Sequence, residues 1–75
     1  MSARRMSYEQ IADDIADRIA SGEYPPDTQL PSTRQLADLY SVSVATIDKA
    51  HIVLRGRGLT YGVTGRGVFV AVRDK

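Results

Sequence analysis

The centre of the chain reads Pro31-Ser-Thr-Arg-Gln-Leu-Ala-Asp-Leu-Tyr-Ser-Val-Ser-Val-Ala-Thr-Ile-Asp-Lys-Ala50, which predicts two short helices separated by an abrupt break. Ser32 is a favourable N-cap, and Gln35 three residues later completes the capping-box pattern that marks the beginning of a helix. Leu36 and Leu39 are predicted to form the inner side of this first short helix, with Ala37 and Tyr40 able to flank it. The segment therefore starts with a helix that buries one side only.

A second helix is predicted from about residue 44 to residue 57, directly after the break. Ser43 is its N-cap, and Val42 and Ile47 occupy the two positions of a hydrophobic staple. One helical stripe is expected to be buried, formed by Ile47, Ala50, His51 and Leu54. Because the turn is so short, the two helices must cross steeply, which leaves the first turn of the second helix exposed. This is a helix-turn-helix arrangement, and its usual target is the major groove of DNA.

A longer helix is predicted upstream, over residues 7–21. Ser7 and Gln10 repeat the capping-box pattern, and Gly22 is a natural residue to end the helix. Its apolar stripe consists of Tyr8, Ile11, Ala12, Ile15 and Ile19. We expect this helix to serve as a scaffold, with its acidic side turned away from any polyanion.

Two strands are predicted after the helices, over residues 59–63 and 68–72. The first alternates, with one side formed by Leu59, Tyr61 and Val63, whereas the second is apolar on both sides. Residues 64–67, Thr-Gly-Arg-Gly, predict a hairpin turn whose glycines are free to adopt positive φ. A two-stranded hairpin is marginally stable alone, so this one is expected to pack on the helices.

The order of these elements predicts an α+β fold, a small winged helix-turn-helix. It has three helices, a C-terminal two-stranded β-hairpin that forms the wing, and a short strand at Gln29-Leu30 before the second helix. We expect a flexible basic arm at residues 1–6, a single domain at residues 7–72 and a C-terminal tail at residues 73–75. Arg4 and Arg5 give the arm its charge.

Composition excludes several classes of function. The chain has no cysteine and one histidine, so it offers no disulfide, thiol nucleophile or zinc finger, and no catalytic motif is present. We therefore expect no enzyme activity, cofactor or metal. No apolar run reaches the roughly 20 residues of a membrane span, and no signal peptide is present, which indicates a cytoplasmic protein. The net charge is +1, but acidic residues concentrate in residues 7–31 and basic ones in residues 32–75.

Six motifs in order along the chain resemble the N-terminal domain of GntR-type bacterial transcription regulators. They are Tyr8-x-x-Ile11-Ala12, Ile19-Ala20-Ser21-Gly22-Glu23-Tyr24-x-Pro26, Leu30-Pro31-Ser32-x-Arg34-x-Leu36-Ala37, Val42-Ser43-x-x-Thr46-Ile47-x-x-Ala50, Arg57-Gly58-Leu59 and Gly65-Arg66-Gly67-x-Phe69-Val70. The resemblance implies a sequence-specific DNA-binding domain of a transcription regulator, most often a repressor. It also implies a homodimer that binds double-stranded DNA at an inverted-repeat operator. In this family the domain usually precedes a larger ligand-binding domain, and the effector ligand of this chain is unknown.

The resemblance and the chemistry of the side chains together select candidate DNA contacts. The candidates are Arg34, Ser43, Val44, Ala45, Thr46, Asp48, Lys49, Gly65, Arg66 and Gly67. Amide groups after an N-cap can bind a phosphate oxygen, and a short side chain such as that of Thr46 permits a close contact. The expected geometry places residues 44–57 in the major groove. The wing tip, residues 64–67, enters the adjacent minor groove, which suits the Arg66 guanidinium.

The chain departs from the family pattern at four positions. The family normally has arginine at the position of Val44 and often at that of Asp48, so two strong readers of guanine are absent. Asp48 either accepts from a cytosine amino group or repels phosphate, and Val44 with Ala45 can contact thymine methyl groups, which favours an A·T-richer site. Ser41 and Asp27 replace glycines, at a cost of roughly 1–2 kcal/mol each if those positions need left-handed φ.

Two features permit a second interpretation. His51 falls on the buried stripe. It is either a pH-sensitive or ligand-sensing residue, or a ring that fills the core with one nitrogen in a hydrogen bond. Ile52 and Val53 stand where polar residues are expected, and they are either exposed as a partner surface or covered by the wing. The alternative function is accordingly a winged-helix protein-interaction module with weak or no specific DNA binding.

Overall fold

The computed structural model describes residues 6–72, and it confirms the predicted order of elements. Helix α1 spans Tyr8–Ser21, helix α2 spans Thr33–Tyr40 and helix α3 spans Val44–Gly56. Strands β1, Thr60–Val63, and β2, Gly67–Val70, follow. The predicted basic residues of the arm and the tail at residues 73–75 lie outside the described residues. Within residues 6–72 no helix is long and apolar enough to cross a bilayer.

The helices begin where the capping patterns predict. Ser7 Oγ accepts from the Gln10 amide at 3.1 Å, and Gln10 Oε1 accepts from the Ser7 amide at 2.8 Å. The same reciprocal pair joins Ser32 and Gln35 at 2.8 and 3.0 Å. Each box satisfies amide groups that a helix leaves unpaired at its beginning, so the starts of α1 and α2 are fixed locally. Met6, the last residue of the predicted arm, packs against the core.

The break between α2 and α3 contains one residue in the left-handed conformation. Ser41 has φ 57° and ψ 47°, and the Val42 amide donates to the Ala37 carbonyl at 3.0 Å. Asp27 is the other non-glycine residue with positive φ in residues 6–72, at 65°. Both positions therefore adopt the conformation that the family usually gives to glycine, at a cost of roughly 1–2 kcal/mol each.

A continuous apolar core joins all three helices to the wing and to the connector between α1 and α2, residues 22–32. Its buried members are Ile11, Ala12, Ile15, Leu30, Leu36, Ala37, Ile47, Ala50, Leu54 and Val70. The prediction for Leu39 was wrong, since this side chain is 58% exposed and Ala37 is buried in its place. The reason is the rotation of α2: Leu36, Ala37 and Tyr40 lie at i, i+1 and i+4 on one side of a helix. The Tyr40 hydroxyl holds that rotation by donating to Asp14 Oδ2 at 2.6 Å.

The wing is an antiparallel hairpin, defined here as β1, β2 and the tip at residues 64–66. Its register pairs Thr60 with Val70 and Val63 with Gly67, so both strands are shorter than predicted. Thr60 and Val70 are buried, whereas Tyr61 stacks on Phe69 on the opposite side at a ring-centroid distance of 5.7 Å. The sequence pattern suggested the side of Tyr61 and Val63 as the apolar one. In the structure the side that faces the core is instead the one with Thr60 and Val70. The sequence could not predict this side, because the second strand is apolar on both sides.

The short strand predicted at Gln29-Leu30 is present as a single bridge between Gln29 and Phe69. Backbone hydrogen bonds extend it, from the Leu30 amide to the Val68 carbonyl at 2.8 Å and from the Val70 amide to the Thr28 carbonyl at 2.9 Å. Leu30 enters the core as expected. The connector therefore lies along the outer edge of β2 and holds the wing beside the helices.

Candidate nucleic-acid interface

The first turn of α3 is exposed and well ordered by its cap. Ser43 Oγ accepts from the Thr46 amide at 3.1 Å and lies 3.0 Å from Thr46 Oγ1. Val44 is 43% exposed, and Ala45 is exposed beside it. The amide groups at the start of a helix have no partner within the helix, so this turn presents donors and a partial positive charge outward.

The outward face of α3 carries the remaining candidates of that helix. The buried face is Ile47, Ala50, His51 and Leu54, as predicted. Asp48 and Lys49 are exposed on the opposite side, one turn beyond the helix start. Ile52 follows them on the same face at 66% exposure, so the wing does not cover it, whereas Val53 packs against the core. Over residues 44–52 the outward face is therefore a mixed surface of one acid, one base and small or apolar side chains.

Lys49 has a partner that the sequence did not reveal. Its Nζ lies 5.8 Å from the centroid of the Tyr8 ring, at the beginning of α1. This cation–π geometry leaves the ammonium charge unneutralised while it restricts where the side chain can reach. The contact depends on how α1 packs against α3, which no local pattern encodes.

The wing tip has the backbone that its glycines predicted. Gly65 has φ 79° and Gly67 has φ 123°, and Arg66 between them is exposed. The Gln29 side-chain amide donates to the Arg66 carbonyl, so the connector holds the tip from outside the hairpin. The φ of Gly67 favours glycine, and a Cβ there would lie 2.8 Å from Gln29 Nε2 and displace that side chain. Gln29 was assigned to a strand but not to the site.

An open cleft of about 560 Å³ lies along the wing beside the C-terminal end of α3. It is lined by Arg55, from the last turns of α3, and by residues 62–68; we call it the Arg55 cleft. A methyl group on Gly62 would lie 3.6 Å from Nη2 of Arg55, so the guanidinium reaches across to β1. Arg55 and Arg57 both lie at the C-terminal end of α3, but their surroundings differ. Arg57 Nη2 instead forms an ion pair with Asp13 Oδ1 at 2.9 Å.

Two of the four carboxylates of α1, Asp13 and Asp14, form ion pairs within the domain. Asp14 pairs with Arg18 at 3.0 Å, and Arg18 also reaches Glu23 at 2.6 Å. Hydrogen bonds from Tyr40 and Arg18 hold the pKa of Asp14 below its usual value. Asp13 meets α3 at Arg57, about 200° around the helix axis from Arg55, since each residue advances roughly 100°. The acidic helix therefore contacts α3 on a flank different from the one that faces the wing.

Arg34 and His51, which the sequence also singled out, have contrasting surroundings. Arg34 is exposed in the first turn of α2 and forms no ion pair within residues 6–72, in keeping with the predicted phosphate contact. His51 is 4% exposed, and neither ring nitrogen has a hydrogen-bond partner in that range, so the predicted single hydrogen bond is wrong. Burial lowers the pKa of His51; Asp48 opposes this and Arg55 reinforces it. No group of three potential metal ligands occurs among the described residues.

Taken together, these features define a winged helix-turn-helix domain with an exposed helix start and a cationic wing. A family model described as "Bacterial regulatory proteins, gntR family" matches residues 7–70. The chain therefore belongs to the GntR family of bacterial regulatory proteins, as its motifs predicted. The members of this family are transcription regulators.

Known proteins similar to this chain agree with that assignment. The HTH-type transcriptional repressor NagR of Bacillus subtilis (strain 168) is 39% identical over 64 residues, covering 85% of this chain and 26% of NagR. The crystal structure of the AraR DNA-binding domain in complex with operator ORX1 has a TM-score of 0.83 at 34% identity, covering 95% of this chain and 93% of that one. YtrA from Sulfolobus acidocaldarius, a GntR-family transcription factor, has a TM-score of 0.82 at 36% identity, covering 97% and 77%. The chain thus spans about a quarter of the length of NagR.

Proposed function

We propose that this chain is a sequence-specific DNA-binding domain of a transcription regulator that acts as a repressor. Helix α3 enters the major groove, and the wing tip enters the adjacent minor groove. The observation that carries the proposal is the pairing of an exposed, N-capped α3 start with the glycine-flanked Arg66 in this fold. The likeness to the AraR domain, which was crystallised with an operator, supports it.

Each candidate residue has a distinct part in this proposal. Arg34 and Lys49 contact phosphates, as do the amide groups that follow Ser43. Val44, Ala45 and Thr46 meet base edges, and Asp48 accepts from a cytosine amino group, because carboxylates pair with that donor in the major groove. Arg66 enters the minor groove, where Gly65 and Gly67 allow the backbone to approach closely.

A further part of the proposal concerns assembly. We propose that the domain binds an inverted-repeat operator as a homodimer in the cytoplasm, with one recognition helix in each half-site. Two-fold symmetric binding is the usual arrangement for helix-turn-helix regulators, since symmetry doubles the number of base contacts. NagR is longer than this chain, which covers 26% of its length, and the effector ligand is unknown.

The test is a binding selection from random duplexes with the purified chain. We expect enrichment of an A·T-rich inverted repeat in which a C·G pair depends on Asp48. Asp48→Ala should relax the preference at that pair alone, because each good base contact contributes about 1–3 kcal/mol of discrimination. Absence of any enriched motif would contradict the proposal. It would favour the protein-interaction module, for which the exposure of Ile52 is the supporting observation.

A further inference from the structure

The Arg55 cleft is positive and has no acidic lining. Its residues include two guanidinium side chains, Arg55 from α3 and Arg66 from the wing tip, and no carboxylate. Within residues 6–72, neither of these arginines has a carboxylate within 4.0 Å. Of the other arginines in residues 6–72, Arg18 and Arg57 form ion pairs with carboxylates. Arg34 lies in the first turn of α2, away from the cleft. The cleft therefore has unneutralised charge and room for an anion.

The position of the cleft is set by the two elements that form it. Arg55 lies near Val44 and Asp48 around the axis of α3, at i+11 and i+7, on the edge nearest the wing. Gly62 has no side chain, so the Arg55 guanidinium lies over β1, at ordinary contact distance from where a Cβ would be. The charge of Arg55 also lowers the pKa of the neighbouring, buried His51.

Adjacent grooves of a duplex are separated by one sugar-phosphate strand. A domain that places α3 in the major groove and the wing tip in the next minor groove must hold that strand between these two elements. The Arg55 cleft is the space between them, and a guanidinium matches the geometry of a phosphate by donating two parallel hydrogen bonds.

We propose that the Arg55 cleft binds a phosphate of this intervening strand, with Arg55 as the residue that contacts it. This inference rests on the proposed function, since it requires α3 and the wing to occupy neighbouring grooves. Arg55 thereby adds a phosphate contact on the side of α3 that carries Val44 and Asp48, where the family's arginines are absent, about 16 and 10 Å further along the helix axis. Gly62 contributes to the site, because a side chain larger than a methyl group would fill the space over which the guanidinium lies.

The experiment compares Arg55→Gln with Arg57→Gln on the duplex enriched by selection. Both variants remove one positive charge at the same end of α3, but Arg57 is paired with Asp13 and faces away from the cleft. We expect Arg55→Gln to bind about tenfold more weakly at roughly 0.1 M salt. The slope of log affinity against log salt should also decrease by about 0.9, the value for one lost phosphate contact. Arg57→Gln should retain the parent's slope.

Two further measurements keep the test independent of folding and of the proposed function. Gly62→Val retains every charge but fills the place of the guanidinium, and it should reproduce the weaker binding and the smaller slope. Neutral methylphosphonate linkages, scanned along the duplex, should weaken the parent at one linkage between the two grooves and leave Arg55→Gln unaffected there. If Arg55→Gln has the parent's slope on an enriched duplex, this inference is overturned while the proposed function stands. If the parent enriches no motif, the proposed function itself fails.

Discussion

At the scale of single residues, His51 shows how far a sequence pattern reaches. The spacing of the apolar stripe predicted that its ring is buried, and the structure agrees. The pattern carried no information on what surrounds the two ring nitrogens, and both lack partners within residues 6–72. A buried polar atom without a hydrogen bond costs about 1–3 kcal/mol, so His51 lowers the free energy of unfolding of the domain.

We expect the stability of the domain to depend on pH through this ring. The pKa of His51 is lowered below its usual 6.5, so the unfolded chain binds a proton more readily than the folded one. The free energy of unfolding is therefore retained in full above pH 6.5 and decreases as the pH falls from 6.5 towards the folded-state pKa. Between pH 7.5 and 5.5 the loss should reach up to about 1.4 kcal/mol.

Urea unfolding of the parent and of His51→Leu at these two pH values checks the prediction. The leucine variant should be at least as stable as the parent at pH 7.5 and should lose little on acidification. Asp14 remains ionised throughout this range, because its pKa is already lowered. An equal loss in both proteins would assign the pH dependence to another group.

At the scale of elements, the wing is held by the connector as much as by its own hairpin. Tyr61 donates to Asp27 Oδ1 at 2.7 Å, and the Gln29 side chain donates to the Arg66 carbonyl. These contacts join residues more than 30 positions apart in the chain. Sequence reasoning could not find them, because it treats each element by its local pattern.

Gln29→Ala should therefore loosen the wing tip without unfolding the domain. We expect DNA affinity to fall several-fold, since a mobile Arg66 pays more ordering entropy on binding. The free energy of unfolding should change by less than about 1 kcal/mol, because the lost hydrogen bond is exposed. Amide hydrogen exchange at Gly65 to Gly67 is the direct readout, and unchanged protection together with unchanged affinity would refute the role of Gln29.

The second element-scale prediction concerns how α2 is held against α1. Tyr40→Phe removes the hydroxyl that donates to Asp14 and should destabilise the domain by about 1 kcal/mol. The same change should raise the pKa of Asp14 towards its usual value, since the hydrogen bond from Tyr40 is the main cause of its lowering. Carboxyl titration by NMR and urea unfolding measure the two effects.

Tyr24→Phe is the matched control, because the Tyr24 side chain is also partly buried against the core but makes no side-chain hydrogen bond among residues 6–72. It should leave both quantities unchanged. Equal effects of the two substitutions would show that loss of a hydroxyl, and not the contact between α1 and α2, explains the result.

At the scale of the whole molecule, the fold followed from local signals that agree with one another. Capping boxes at Ser7 and Ser32 and the staple-and-cap pattern at Ser43 predicted where all three helices begin. Leu39 was misassigned because the rotation of an eight-residue helix depends on its tertiary neighbours. Likewise, the core-facing side of the hairpin could not be chosen when β2 was apolar on both sides.

The candidate site was predicted in part for the same reason. The exposed α3 start and the glycine-flanked wing tip were legible in the sequence, because each is a property of a few consecutive residues. The partners of Lys49, Arg55 and Arg66 were not, since they come from α1, β1 and the connector. The different surroundings of Arg55 and Arg57, two residues apart, show that charge alone does not reveal which arginine is available.

The central claim is that the domain reads a base sequence through α3 and the wing. Fluorescence anisotropy on the selection-enriched duplex and on a shuffled duplex of the same composition, at about 0.15 M salt, tests it most directly. The account predicts that the enriched duplex binds at least about a thousandfold more tightly, as specific protein–DNA complexes do. Equal affinities for the two duplexes would contradict it.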